Sequence, residues 1–73
     1  MKTFYLNGEF MTLAQFLKAN DYINSGGEAK YFLQDYVVKI NGEQCSLRGK
    51  KLYEKDIVTV GNDDFVLLYD KKD

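Results

Sequence analysis

The sequence predicts an α+β fold in which two short helices pack on a small, mostly antiparallel sheet. Three observations predict it. Thr12-Leu13-Ala14-Gln15 and Ser25-Gly26-Gly27-Glu28 each place a hydroxyl residue three positions before Gln or Glu, the pattern of a helix capping box. Asn41-Gly42 sits between two runs of strand-forming residues, a strong short-range hairpin signal. Two later runs, 57–60 and 65–69, are β-branched or aromatic and apolar, as strands are.

The elements follow in order. Residues 3–6 read as a strand, and Asn7-Gly8 as the turn after it. The first helix starts at Thr12, whose hydroxyl and the Gln15 side chain are placed to satisfy orphan backbone amides. Met11 and Phe16 occupy the positions of a hydrophobic staple, and Leu13, Phe16 and Leu17 form the face to be buried. This helix frays near Asn20-Asp21. The second helix takes Ser25 as N-cap and Glu28 as its capping-box partner. Ala29, Phe32, Leu33 and Tyr36 follow at i, i+3, i+4 and i+7, which makes one apolar face, with Lys30 and Gln34 off it.

The hairpin pairs 37–40 with 43–47. A two-residue turn sets Ile40 opposite Glu43, Lys39 opposite Gln44 and Val38 opposite Cys45. Val38, Ile40 and Cys45 then face the core, while Lys39 and Gln44 face away. Arg48-Gly49-Lys50-Lys51 is a basic loop. The last two strands, 57–60 and 65–69, are joined by Gly61-Asn62-Asp63-Asp64. Residues 70–73 form a charged tail expected to fray.

Composition narrows the function. Seventy-three residues suffice for one domain, and no apolar run approaches the roughly 20 residues that cross a bilayer. The N-terminus lacks an apolar stretch long enough for a signal peptide, so the cytosol is the expected location. Cys45 is the single cysteine and histidine is absent. An internal disulfide, Cys/His metal sites and histidine-based catalysis are therefore excluded. Neither a cofactor nor a metal is expected. The carboxylates are not clustered at a spacing suited to acid–base work, and the sequence reads as a non-enzyme with no small-molecule substrate.

The net charge is −1, but its distribution is uneven. Residues 1–38 carry three basic and four acidic side chains, and 56–73 carry two and five. Residues 39–55 carry five basic (Lys39, Arg48, Lys50, Lys51, Lys55) against two acidic. A weakly acidic total conceals a basic middle segment.

Two motifs have a structural and a functional reading. The glycines of Ser25-Gly26-Gly27 ease a turn into a helix; they also let a phosphate approach exposed amides. Spacing alone favours the cap. Arg48-Gly49-Lys50-Lys51 is either a solvated loop or a set of phosphate contacts around a glycine, and spacing does not choose between them. Tyr31 or Tyr53 can stack on an unpaired base, although packing at the core or its rim is the commoner use.

These pieces, in this order, resemble the RNA-binding domain first described in ribosomal protein S-four, the alpha-L motif. The resemblance runs from about Thr12 to Val60, the motif core of a single domain spanning 1–73. It rests on Thr12-Leu13-Ala14-Gln15-Phe16-Leu17-Lys18, Ser25-Gly26-Gly27-Glu28-Ala29-Lys30, Val38-Lys39-Ile40-Asn41-Gly42 and Arg48-Gly49-Lys50-Lys51-Leu52-Tyr53. Ser-Gly-Gly and Arg-Gly-Lys-Lys-Leu-Tyr are most similar to the short stand-alone YaaA-like bacterial subfamily. The resemblance implies non-catalytic binding of structured RNA, ribosomal RNA or an assembling ribosomal subunit, through phosphates and shape. It implies contacts from Gln15 and Lys18 on the first helix, and from Ser25, Gly26, Gly27 and Lys30 at the second helix start. Arg48, Lys50 and Lys51 would supply the loop contacts.

The chain departs from that pattern at several positions. Glycines 26 and 27 stand where many members have arginine, and Leu47 where a basic residue is common. Tyr36 replaces a helix-ending glycine, which removes the usual left-handed cap. Glu54-Lys55 replaces a Pro-Gly turn, so a different turn is expected. The lower charge supports an alternative, a protein-interaction module of the same fold with little RNA affinity.

Overall fold

The Thr12–Gln15 capping box forms as the sequence predicts. In the computed structural model, which describes residues 1–70, the Thr12 amide donates to Gln15 Oε1 at 2.8 Å and the Gln15 amide to Thr12 Oγ1 at 3.2 Å. Helix α1 spans Leu13–Ala19 and buries Leu13, Phe16 and Leu17. It ends in a Schellman motif: the Asp21 amide donates to Lys18 O and the Tyr22 amide to Leu17 O, with Asp21 left-handed at φ 64°.

The second capping box does not form. Ser25 makes no side-chain cap, and Gly26–Glu28 folds as a tighter 3₁₀ turn before α2, Ala29–Asp35. The Glu28 amide bonds the Ser25 carbonyl rather than its hydroxyl, and the Glu28 carboxylate passes Ser25 to accept from the Asn24 amide at 3.2 Å. An i→i+3 turn brings the carbonyl to the amide first, which leaves the hydroxyl without that role. Ala29 and Leu33 are buried, Phe32 is half-buried, and Tyr36 is exposed, stacked on Phe32 at 4.7 Å. Tyr36 is extended (φ −125°), so α2 ends without a left-handed cap.

Seven strands among the described residues complete the fold. These are β1 Lys2–Leu6, β2 Met11–Thr12, β3 Val38–Ile40, β4 Glu43–Gln44, β5 Lys51–Leu52, β6 Ile57–Val60 and β7 Asp63–Tyr69. Five form one sheet in the order β1-β7-β6-β3-β4, and β2 pairs with β5 separately. The β3–β4 register sets Lys39 opposite Gln44 and Ile40 opposite Glu43. Asn41 and Gly42 both have positive φ (53° and 87°), as a type I′ turn requires. Regular pairing stops at Gln44, although the Cys45 amide still reaches Val38 O at 2.8 Å.

Two turns differ from expectation. Asp63 and Asp64 belong to β7, opposite Val60 and Thr59, so the β6–β7 turn is only Gly61-Asn62. Gly61 at φ 60° supplies the left-handed first position of a type II′ turn. At Tyr53–Asp56 the turn keeps the left-handed third residue of a Pro-Gly turn, with Lys55 in that role at φ 73°. Its closing bond runs from the Asp56 amide to Tyr53 O, and the Lys55 amide is anchored on Leu67 O at 2.6 Å. The expectation of a frayed tail concerns mostly residues 71–73, which lie outside the described residues; the Asp70 amide bonds Leu6 O at 3.3 Å.

Sheet and helices share one core. Leu13, Phe16, Leu17, Ala29 and Leu33 from the helices meet Leu6, Val38, Val58, Phe65 and Leu67 from the sheet. Phe16 is fully buried and meets Phe4 and Phe65 edge-on, with ring centroids 5.2 and 5.1 Å away. The one parallel pairing among the described residues, β1 with β7, sets Lys2 beside Phe65 and Leu6 beside Tyr69. No helix among the described residues is long and apolar enough to cross a membrane.

Candidate nucleic-acid interface

The basic loop is held by main-chain bonds, not by its side chains. The Leu13 amide donates to Lys50 O at 2.8 Å and the Ala14 amide to Arg48 O at 2.9 Å. The Lys50 amide returns to Leu47 O at 3.1 Å, closing a tight turn, and β5 pairs Lys51 with Thr12 and Leu52 with Met11. Leu52 is fully buried. The first two helical amides of α1 and its capping box are thus satisfied within the protein. The positive end of α1 is closed to a ligand, and the loop's cations are left free to face outward.

Beside the loop lies an open groove of about 700 Å³, lined by Lys30, Leu33, Gln34, Ser46, Leu47, Arg48, Gly49 and Lys50. Helix α2 supplies one wall and the loop the other. Three cations therefore converge from segments 18 residues apart in sequence (30 and 48). Among the described residues the only salt bridge joins Lys2 to Asp63. Lys30, Arg48 and Lys50 are exposed, and none forms a salt bridge with a carboxylate among the described residues. Leu47, 68% exposed, adds an apolar rim where a further cation was absent from the sequence.

The other residues singled out from the sequence are placed differently. Lys51 turns to the far side of the loop, with Nζ 4.9 Å from the Phe10 ring centre. Gln15 has its carbonyl oxygen committed to the cap. Lys18 is exposed in the last turn of α1 and does not line the groove. Ser25, Gly26 and Gly27 are exposed and also lie outside its lining. A side chain at Gly26 would meet nothing within 4 Å, and at Gly27 only Ser25 Oγ at 3.9 Å. Their backbone does not demand glycine.

Gln34 and Ser46 join the groove without having been singled out, and Leu47 joins it from the position where the resemblance leads one to expect a cation. Gln34 carried a signal, since it shares with Lys30 the polar side of α2 at i, i+4. Ser46 carried none, because its place depends on how the loop docks on α1. No group of three or more His, Cys, Asp or Glu suited to a metal ion occurs among the described residues.

A family model for the S4 domain matches residues 4–67, nearly all of the chain. The chain belongs to the S4-domain family. A curated relative, the "Probable ribosome maturation protein RlbA" of Bacillus subtilis (strain 168), is 47% identical over 55 residues. The alignment covers 75% of this S4 protein and 78% of the relative. Comparison with solved structures gives no significant match. The family match extends beyond helices and loop to β1 and β7, which pair in parallel at one side of the sheet.

Proposed function

We propose that this S4-domain protein is a non-catalytic binder of structured RNA, acting on ribosomal RNA or an assembling ribosomal subunit. The observation that carries the reading is the convergence of Lys30, Arg48 and Lys50 on one groove beside a loop anchored through its backbone. Three exposed cations on a pre-set frame suit phosphate oxygens spaced along a folded strand. A relative named for ribosome maturation supports the same target class. Lys18, Lys51 and the 25–27 turn would extend the surface to a longer RNA. Neither a cofactor nor a small-molecule substrate enters this activity, and its place is the cytoplasm.

The test is binding to ribosomal RNA fragments across a salt series, wild type against Lys30→Ala/Arg48→Ala/Lys50→Ala. Each lost phosphate contact lowers the slope of log affinity on log salt by somewhat less than one, so the triple variant loses about two to three. Wild type that fails to bind RNA even at low salt would refute the reading. The net charge of −1 then favours a protein partner, and a pull-down insensitive to nuclease would identify it.

A further inference from the structure

The basic loop is a ridge with a second cleft on its other side. That cleft, about 380 Å³, is lined by Ile40, Asn41, Glu43, Gln44, Cys45, Leu47, Lys50, Lys51, Tyr53 and Asp56. Lys50 and Leu47 line both it and the groove facing α2. The two hollows therefore adjoin across a single turn of chain.

Its chemistry differs from that of the groove. Lys50 and Lys51 stand on the loop side, while Glu43 and Asp56 stand on the hairpin side. A phosphate drawn in by the lysines would meet those carboxylates, so the interior suits a neutral, flat group whose phosphates remain on the lysine rim. Tyr53, 43% exposed, offers such a group an aromatic surface, and Phe10, 41% exposed, backs it at 5.9 Å. The Tyr53 backbone is held in place: its amide bonds Asp56 Oδ2 at 2.8 Å, and Asp56 Oδ1 accepts from Asn41 Nδ2 at 3.0 Å. The Asn41 side chain in turn accepts from the Ile57 amide at 2.9 Å. Among the described residues, the Glu43 and Gln44 side chains make no hydrogen bond and remain available to a ligand.

We infer that this cleft holds one unpaired nucleobase of the bound RNA, stacked on Tyr53, with the flanking phosphates on Lys50 and Lys51. Aromatic stacking beside a cationic track is how proteins hold single-stranded bases, and the Glu43 carboxylate selects a base edge that donates hydrogen bonds. An exocyclic amino group meets that demand with two N–H donors at the base edge, where uracil offers a single ring N3–H between two carbonyl oxygens that the carboxylate repels. The inference rests on the RNA-binding reading and names what that RNA must contain next to its phosphate contacts.

The experiment measures the affinity of the intact protein for three RNAs: a stem with a cytidine loop, the same stem with a uridine loop, and a fully paired duplex. Wild type, Tyr53→Phe, Tyr53→Leu and Lys50→Ala are compared, with circular dichroism confirming that each is folded. The expected result is a cytidine-loop preference in wild type and Tyr53→Phe. Tyr53→Leu should weaken cytidine-loop binding roughly 5- to 100-fold, the worth of one stacked base, without changing the duplex. Lys50→Ala should weaken all three. Equal binding of the two loops, or unchanged affinity in Tyr53→Leu, overturns the base site and leaves RNA binding intact. Wild type that binds no RNA overturns both.

Discussion

The carbonyl of Lys50 accepts the amide of Leu13 at 2.8 Å, so a residue offered to RNA by its side chain caps a helix by its backbone. The two roles are separable. Lys50→Ala keeps the carbonyl and removes the ammonium. Its unfolding free energy should stay within about 0.5 kcal/mol of wild type, as for other surface changes, while its RNA affinity falls with a shallower salt dependence. Denaturant unfolding and a salt titration on the same sample check both.

Glycine at two left-handed positions should stabilise the protein. Asp21 (φ 64°) and Lys55 (φ 73°) hold a conformation that costs an L-residue about 1–2 kcal/mol, part of which glycine returns as unfolded-state entropy. The net gain expected is about 0.5–1 kcal/mol for Lys55→Gly. It is smaller for Asp21→Gly, because Asp tolerates this region better than Lys. Midpoints of urea unfolding at unchanged slope would show it.

Tyr22 ties the inter-helix segment to β7 through a 3.0 Å hydrogen bond from its hydroxyl to Asp63 Oδ2. Partial burial, then that bond and the Asp63 charge, push the Tyr22 hydroxyl above its ordinary value of 10.0. A raised folded-state value means the protonated form is favoured by folding. The stabilisation is therefore complete below pH 10 and disappears as pH climbs through the folded-state value. Tyr22→Phe should cost about 1 kcal/mol at neutral pH, and the gap to wild type should close in alkali. Unfolding curves at pH 7.5 and above pH 10, on both proteins, decide the matter.

Adding charge at the second helix start should strengthen RNA binding. Gly26 has open space and no positive φ, so Gly26→Arg is accommodated without strain. The salt slope should steepen by somewhat less than one, with stability unchanged or slightly raised. If affinity does not rise, the bound RNA does not pass the 25–27 turn.

Truncating Phe16 should be severe. It is fully buried between Phe4 and Phe65, and Phe16→Ala removes about 3–5 kcal/mol, a large share of what a domain this small holds. Loss of a cooperative thermal transition is the expected result.

What could be read from the residues followed locality. The Thr12–Gln15 box and the Ile40–Glu43 register depend on partners three residues apart, and both appear as expected. Ser25–Glu28 has the same spacing, yet the chain there takes a tighter turn that gives the Glu28 amide to a carbonyl. At Lys55 the residue type pointed away from a left-handed turn. The anchor of its amide on Leu67 O and the Asp56 bond to Tyr53 impose it from outside. In the groove, Lys30 and the loop cations were each visible, but not that they face one another. That depends on α1 capping itself with carbonyls more than 30 residues away, which no local pattern encodes.

Strand β7 comes last among the strands in sequence yet lies inside the sheet, with β1 on one side and β6 on the other. On a translating ribosome, the strand of this sheet made first would have to wait for the one made last. Phe4 and Leu6 have no sheet neighbour until residues 65–69 clear the exit tunnel, and a nascent chain stalled before residue 63 carries β1 unpaired.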